Sequence, residues 1–80
     1  MFIVVKYFSI IREKIEKAEE TLHIPEHSTT TELWNLLKEK YSLHEHEEYL
    51  RFAVNMDYVD HPFALKEGDV VALITPVAGG

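Results

Sequence analysis

The sequence has no cysteine and only three glycines and three prolines among its 80 residues. Without cysteine the chain can form no disulfide, no thiolate nucleophile and no cysteine-ligated zinc or iron–sulfur site. Its longest apolar runs, residues 2–5 and 70–74, fall far short of the ~20 residues that span a bilayer. We therefore expect no membrane segment and a soluble, cytoplasmic protein.

Positive charge is also scarce, with 8 Lys and Arg against 14 Asp and Glu and a net charge of −6. Affinity for duplex nucleic acid depends on basic side chains that displace counterions, so this balance argues against a nucleic-acid partner and favours a protein partner. A chain this short buries only about 60 to 65% of its unfolded surface, which permits one domain with one core.

Hydrophobic patterning in the first third predicts two strands and a short helix. Residues 2–8 are apolar on both alternating faces, which favours a central strand covered on each side. Residues 21–24 alternate polar and apolar up to Pro25, which predicts a strand antiparallel to the first. Between them, apolar residues recur at helical spacing, with Ser9 as the expected N-cap. These residues are Phe8, Ile11, Ile15 and Ala18.

The remaining elements are predicted from caps and turns. Thr29 and Glu32 form a capping box ahead of an apolar stripe, which predicts the main helix over residues 30–41. Short strands are expected at 51–55 and 58–59, around a turn at Met56 and Asp57. Gly68 supplies the turn that begins the last strand, residues 70–74, which is again apolar on both faces.

This order of elements predicts an α+β domain. Two apolar strands at the ends of the chain fit side by side, parallel, in the middle of a mixed sheet, with one main helix across one face. That arrangement is the ubiquitin-like β-grasp. We expect residues 1–75 to form this domain and residues 76–80 to form a C-terminal tail.

Residues 42–49 are polar and acidic and are interpreted as a loop. Its two histidines lack the spacings of a zinc site, so no metal site is predicted. Its three glutamates form either a solvated face or, alternatively, a docking patch for a basic partner. Asp60 and His61 lie in a predicted turn with no nucleophile beside them. The acidic segment contains His44, Glu45, His46, Glu47 and Glu48.

The last six residues carry no charge and no large side chain, and they end in Gly79 and Gly80. Pro76 cannot donate to a sheet ladder, so the strand should stop before it. Five residues reach at most about 16 to 18 Å, and two glycines can pass through a channel too narrow for a Cβ. A terminal carboxylate becomes an acyl donor once an ATP-using enzyme adenylates it. The end of the chain is therefore the predicted reactive group.

The whole chain resembles the small, sulfur-carrying subunit family of molybdopterin synthase. The resemblance depends on an Ala-Val-Asn segment at 53–55, Asp-His-Pro at 60–62, Leu-Lys-Glu-Gly-Asp-Val-Val-Ala at 65–72 and the final Pro-Val-Ala-Gly-Gly. Thr75 replaces the first proline of the family's Pro-Pro-Val segment.

The resemblance implies that Gly80 is adenylated by a ubiquitin-activating-like enzyme that consumes ATP, and is then converted to a thiocarboxylate. It also implies that the tail inserts into a large catalytic subunit, in a heterotetramer, so that the small subunit binds no cofactor and is no enzyme alone. Gly79 would accompany Gly80 at the reactive end. Apolar residues near Leu73 and Val77 would form the docking patch, and the expected partner contacts are Leu73, Thr75, Pro76, Val77 and Ala78.

Three alternatives remain open. A sulfur carrier for thiamine or thio-tRNA synthesis would share the fold and the Gly-Gly end. A ubiquitin-like modifier would form isopeptide bonds with lysines. A small adaptor would use no terminal chemistry at all.

Overall fold

A computed structural model describes residues 1–75 of the chain. It contains five strands, two α-helices and one 3₁₀ helix. In chain order these are β1 (Phe2–Tyr7), α1 (Ser9–Ile15), β2 (Glu19–His23), α2 (Thr30–Tyr41), the 3₁₀ helix Glu47–Tyr49, β3 (Arg51–Val54), β4 (Asp57–Val59) and β5 (Val70–Ile74).

The strands form one mixed sheet in the order β2-β1-β5-β3-β4. β1 and β5 are parallel neighbours at its centre, whereas β2 and β3 flank them antiparallel. This confirms the predicted placement of the first and last strands. No helix within residues 1–75 has the length and hydropathy needed to cross a membrane.

Helix α2 has the predicted bounds because its start is capped twice. The Thr29 hydroxyl accepts from the Glu32 N–H at 3.3 Å, and the Glu32 carboxylate accepts from the Thr29 N–H at 3.2 Å. Leu33, Trp34 and Leu37 then place one apolar stripe in the core.

The sheet buries one face, contrary to the expectation that β1 and β5 are covered on both. Odd-numbered residues of these two strands are buried in the core, including Val5, Tyr7 and Val71. Their even-numbered residues are half-buried or exposed, and Phe2 is 55% exposed. We call this second surface the open face. Apolar residues on both sides of β1 and β5 therefore do not mean that both faces of the sheet are covered.

Several local predictions were wrong by one or two residues. Phe8 occupies the N-cap of α1, since the Arg12 N–H donates to its carbonyl, and Ser9 is the first helical residue. Phe8 and Ala18 are exposed, whereas the other two residues of the predicted stripe are buried. The β3–β4 turn is at Asn55 and Met56, both at positive φ, one residue earlier than predicted.

Candidate functional site at the end of the last strand

The site is the C-terminal end of β5, from which the tail continues. β5 pairs with β1 through residues Val70 to Leu73 and with β3 up to Ile74, which lies opposite Arg51. Ladders on both sides leave the backbone little freedom as far as Leu73, and the β3 ladder alone extends to Ile74. The base of the tail is therefore held by the two neighbouring strands.

The start of β5 is held by a network of hydrogen bonds around Asn55 and Asp69. The buried Asp69 carboxylate accepts from the Lys66 N–H at 2.8 Å and from Asn55 Nδ2 at 3.0 Å. Asn55 Oδ1 in turn accepts from the Val70 N–H at 3.0 Å. Gly68, at φ 83°, donates to the Phe2 carbonyl at 2.8 Å. The Ala-Val-Asn and Gly-Asp motifs thus set the register of the last strand.

Leu73 does not contact a partner in this arrangement, and its assignment to the docking patch is wrong. Its side chain is fully buried, between Tyr7 of β1 and Phe52 of β3 in the sheet. The alternation along a strand places its neighbour Ile74 on the open face instead. Thr75 follows and is half-buried.

A groove lies on the open face beside the base of the tail. Its lining combines apolar and charged residues of β3, β4 and β5 with the residue that follows β4: Arg51, Tyr58, Val59, Asp60 and Ile74. Tyr58 is 70% exposed. A lining that mixes apolar residues with charged groups of both signs is typical of a protein contact rather than of an enclosed catalytic pocket.

The residues predicted to react or to be inserted into a partner lie outside the described residues. These are Pro76, Val77, Ala78, Gly79 and Gly80. The described residues end at Thr75, directly before them, and their roles stay predictions.

His61 is part of a structural contact and not of a dyad with Asp60. Its Nδ1 lies 2.7 Å from Glu47 Oε2, which also accepts from Thr31 Oγ1 at 2.6 Å. Its ring meets that of Phe52 edge-on, with centroids 5.0 Å apart. The contact joins the 3₁₀ helix, the start of α2 and the segment after β4.

The acidic segment is largely engaged within the domain. Glu47 bonds His61 and Thr31, and Glu45 forms a salt bridge with Lys14 of α1. These two carboxylates are therefore engaged within the domain, whereas Glu48 is exposed, and the docking patch stays a prediction. Within residues 1–75 no three His, Asp or Glu side chains are grouped as metal ligands.

Sequence reasoning missed a cluster centred on Glu20. Its Oε2 accepts from the Tyr7 hydroxyl at 2.6 Å and from the Tyr41 hydroxyl at 2.5 Å. Its Oε1 lies 3.3 Å from Lys17 Nζ and 3.6 Å from Lys40 Nζ. The cluster ties β1, β2 and the end of α2 together. Tyr7 and Tyr41 are 34 positions apart, so no local pattern could reveal it.

The cluster shifts the protonation of its members. Partial burial raises the pKa of Glu20, but hydrogen bonds from Tyr41, Tyr7 and Lys17 outweigh it, and the pKa lies below its ordinary value. Burial first, and then the hydrogen bond to Glu20, raise the pKa of Tyr7. The carboxylate is thus held ionised and the buried phenol neutral.

A five-stranded mixed sheet with parallel central strands and one main helix across its buried face defines the ubiquitin-like β-grasp class, as predicted. Solved structures of that class superpose on the whole chain, and the sequence profile of the ThiS family matches residues 5–80. The chain belongs to the ThiS family.

Two kinds of relative agree with this membership. The molybdopterin synthase sulfur carrier subunit of Drosophila melanogaster is 34% identical over 79 residues, covering 95% of this chain and 88% of its own length. A putative molybdopterin converting factor subunit 1 from Pyrococcus furiosus is 29% identical, with a TM-score of 0.79 and coverage of 95% and 98%. A complex of subunits 1 and 2 of the molybdopterin-converting factor from Helicobacter pylori contains a chain 30% identical, with a TM-score of 0.69 and full coverage of both chains.

Proposed function

We propose that this chain is the sulfur-carrier subunit of a molybdopterin synthase. The observation that carries the proposal is a Gly-Gly end placed five residues beyond a strand that is paired on both sides. Membership of the ThiS family and relatives named as sulfur carrier subunits support it. In this function partner proteins recognise the folded domain, and the chemistry takes place at the chain's own terminus.

The chemistry takes place at the Gly80 carboxylate. One of its oxygens attacks the α-phosphorus of ATP on an activating enzyme, pyrophosphate leaves, and an acyl-adenylate forms. Hydrosulfide then attacks the carbonyl carbon, and AMP leaves with the former carboxylate oxygen. The product is a thiocarboxylate. Its sulfur attacks a carbon of a pyranopterin precursor and displaces an oxygen substituent there, which joins the two molecules as a thioester. Water then hydrolyses the bond between the Gly80 carbonyl carbon and the sulfur, so the sulfur stays on the pterin and the carboxylate is restored.

The transfer to the precursor takes place on a large catalytic subunit, which binds the open face beside the tail. A partner that acts on Gly80 must approach the end of β5, where the groove presents Tyr58 and Ile74 with Arg51 at its side. The Helicobacter pylori complex supports a two-subunit assembly of this kind. The catalytic groups belong to the large subunit, and the full assembly is a heterotetramer.

Intact-mass spectrometry tests the proposal most directly. The chain is incubated with its activating enzyme, ATP and a sulfur source, and the expected product carries one sulfur in place of one oxygen within the C-terminal peptide. Deleting Gly80, or adding one alanine after it, should abolish both this mass change and dithiolene formation. The exposed Glu39 on α2 offers a matched control, since Glu39→Gln should be loaded normally.

Each contrary result has a distinct meaning. Sulfur loading in the chain with the added alanine would contradict the terminal carboxylate as the carrier group. Linkage of the unmodified terminus to lysines would instead establish a protein modifier. Loading that supports thiamine or thio-tRNA synthesis but no dithiolene would establish a carrier for another pathway.

A further inference from the structure

β2 is an edge strand, and half of its main-chain groups point away from the sheet. The Met1 amine donates to the Ile24 carbonyl at 2.7 Å and the Ile24 N–H to the Met1 carbonyl at 2.8 Å. At the other end the Tyr7 N–H donates to Ala18 at 2.9 Å. Because antiparallel pairs alternate, the even-numbered residues of this strand bond to β1. Its odd-numbered residues therefore face outward: Glu19, Thr21 and His23.

We propose that this edge pairs with the same edge of a second copy of the chain, antiparallel and with a two-fold axis at Thr21. In that register Thr21 faces the partner's Thr21, and Glu19 faces the partner's His23. All three pairs unite outward-facing residues, so each can exchange two N–H···O bonds. The register thus satisfies every free main-chain group of the strand and continues the sheet from five strands to ten.

The side chains on the open face match in this register. A carboxylate can accept a hydrogen bond from an imidazole N–H directly across an antiparallel pair, and the register places the Glu19 carboxylate against the His23 imidazole twice, once on each side of the axis. The central pair joins two threonines, another favourable combination in sheets. Within the monomer Glu19 lies across from Lys6 and His23 packs on Phe2, with ring centroids 4.6 Å apart.

The other face of the edge is also complementary to itself. Lys17 and Lys40 lie beside Glu20 at one end of β2. Glu26 and Glu32 lie beside the clefts next to Ile24 at the other end. A two-fold axis between these ends brings the two lysines of one copy, which bond Glu20 within their own chain, toward the two glutamates of the other copy, of which Glu26 also pairs with the Met1 amine.

This edge fits a second copy better than the opposite edge does. β4 has three residues, against five in β2, and so offers a shorter ladder. β1 lies between β2 and β5, so pairing through β2 leaves the groove beside the tail uncovered. The pairing is therefore compatible with the proposed carrier function and does not depend on it. Its small contact area predicts a weak, concentration-dependent dimer.

Sedimentation velocity on the full chain, between about 10 µM and 1 mM, tests the proposal. We expect a monomer–dimer equilibrium that Thr21→Pro abolishes, because proline removes an outward N–H and no bond to β1. Melting followed by Trp34 fluorescence checks that this variant is folded. If this variant is unfolded, the substitutions at Glu19 and His23 described next test the proposal instead.

Two single substitutions and their combination test the register. Glu19→His and His23→Glu each place like groups opposite one another and should weaken dimerisation about tenfold, whereas the double variant should restore it. A wild-type chain that stays monomeric at 1 mM would overturn the proposal. A dimer that survives in a folded Thr21→Pro variant, or a double variant as weak as the singles, would overturn it as well.

Discussion

Substitutions at the neighbouring β5 residues Leu73 and Ile74 should affect different properties, namely fold stability for Leu73 and partner binding for Ile74. Leu73 is fully buried between Tyr7 and Phe52, so Leu73→Ala removes core contacts and leaves a cavity. Such truncations cost about 2 to 5 kcal/mol. For a domain of this size, 1 kcal/mol shifts the melting temperature by about 4 to 8 °C, so a loss of at least about 8 °C is expected.

Ile74→Thr is the matched change on the open face. Ile74 is half-buried and lines the groove, and threonine keeps the β-branched shape that suits a strand. Its cost in stability should stay below about 1 kcal/mol. Loss of its apolar contact should instead weaken binding of the large subunit about tenfold.

Two assays separate these effects. Trp34 is the sole tryptophan and is 1% exposed, so its fluorescence reports unfolding in heat or urea. Calorimetric titration with the large subunit, below each variant's melting range, reports binding. The assignment of faces would be refuted if Leu73→Ala melted like the wild type but failed to bind, or if Ile74→Thr lost stability while binding normally.

Two further predictions concern stability alone. The lowered pKa of Glu20 means that its ionised form stabilises the fold above its ordinary pKa of 4.5, and that this contribution is lost as pH falls through the lower folded value. In urea titrations the advantage of wild type over Glu20→Gln should therefore be full above about pH 5.5 and shrink toward pH 3, whereas parallel profiles would contradict the cluster. Met56 is 95% exposed at φ 76°, so Met56→Gly should stabilise by about 0.5 to 1 kcal/mol and Met56→Ala should not. Thermal melting of both variants checks this, and an equal gain from alanine would exclude relief of backbone strain as the cause.

Elements with a local chemical cause were predictable from the sequence. The capping box fixed the start of α2, because both of its hydrogen bonds join residues three apart. Gly68 marked its turn, since glycine accepts the positive φ found there. The β3–β4 turn was misplaced because Asn55-Met56 lacks the glycine that usually occupies such turns.

Contacts between distant residues were not predictable. The Glu20 cluster and the bond between His61 and Glu47 depend on how the elements pack, and the sequence contains only isolated polar residues at these positions. The assignment of Leu73 failed for a related reason. When a strand is apolar on both sides, its sequence does not show which side faces the core. Successive side chains point to opposite faces, so an error of one residue assigns a buried side chain to the exposed face.

The open face is left uncovered because the domain is too small to cover both sides of its sheet. One helix of 12 residues lies over the buried side of the sheet, and Phe2, Tyr58 and Ile74 remain at least partly exposed on the other. Apolar patches of this kind mark interaction sites on small proteins. If Gly80 is the reactive end, any enzyme acting on it must bind within about 16 to 18 Å of Thr75, the greatest span of five residues. The activating enzyme and the large subunit would then require the same end of the sheet and could bind only in turn, so loading and delivery of sulfur must be separated by dissociation.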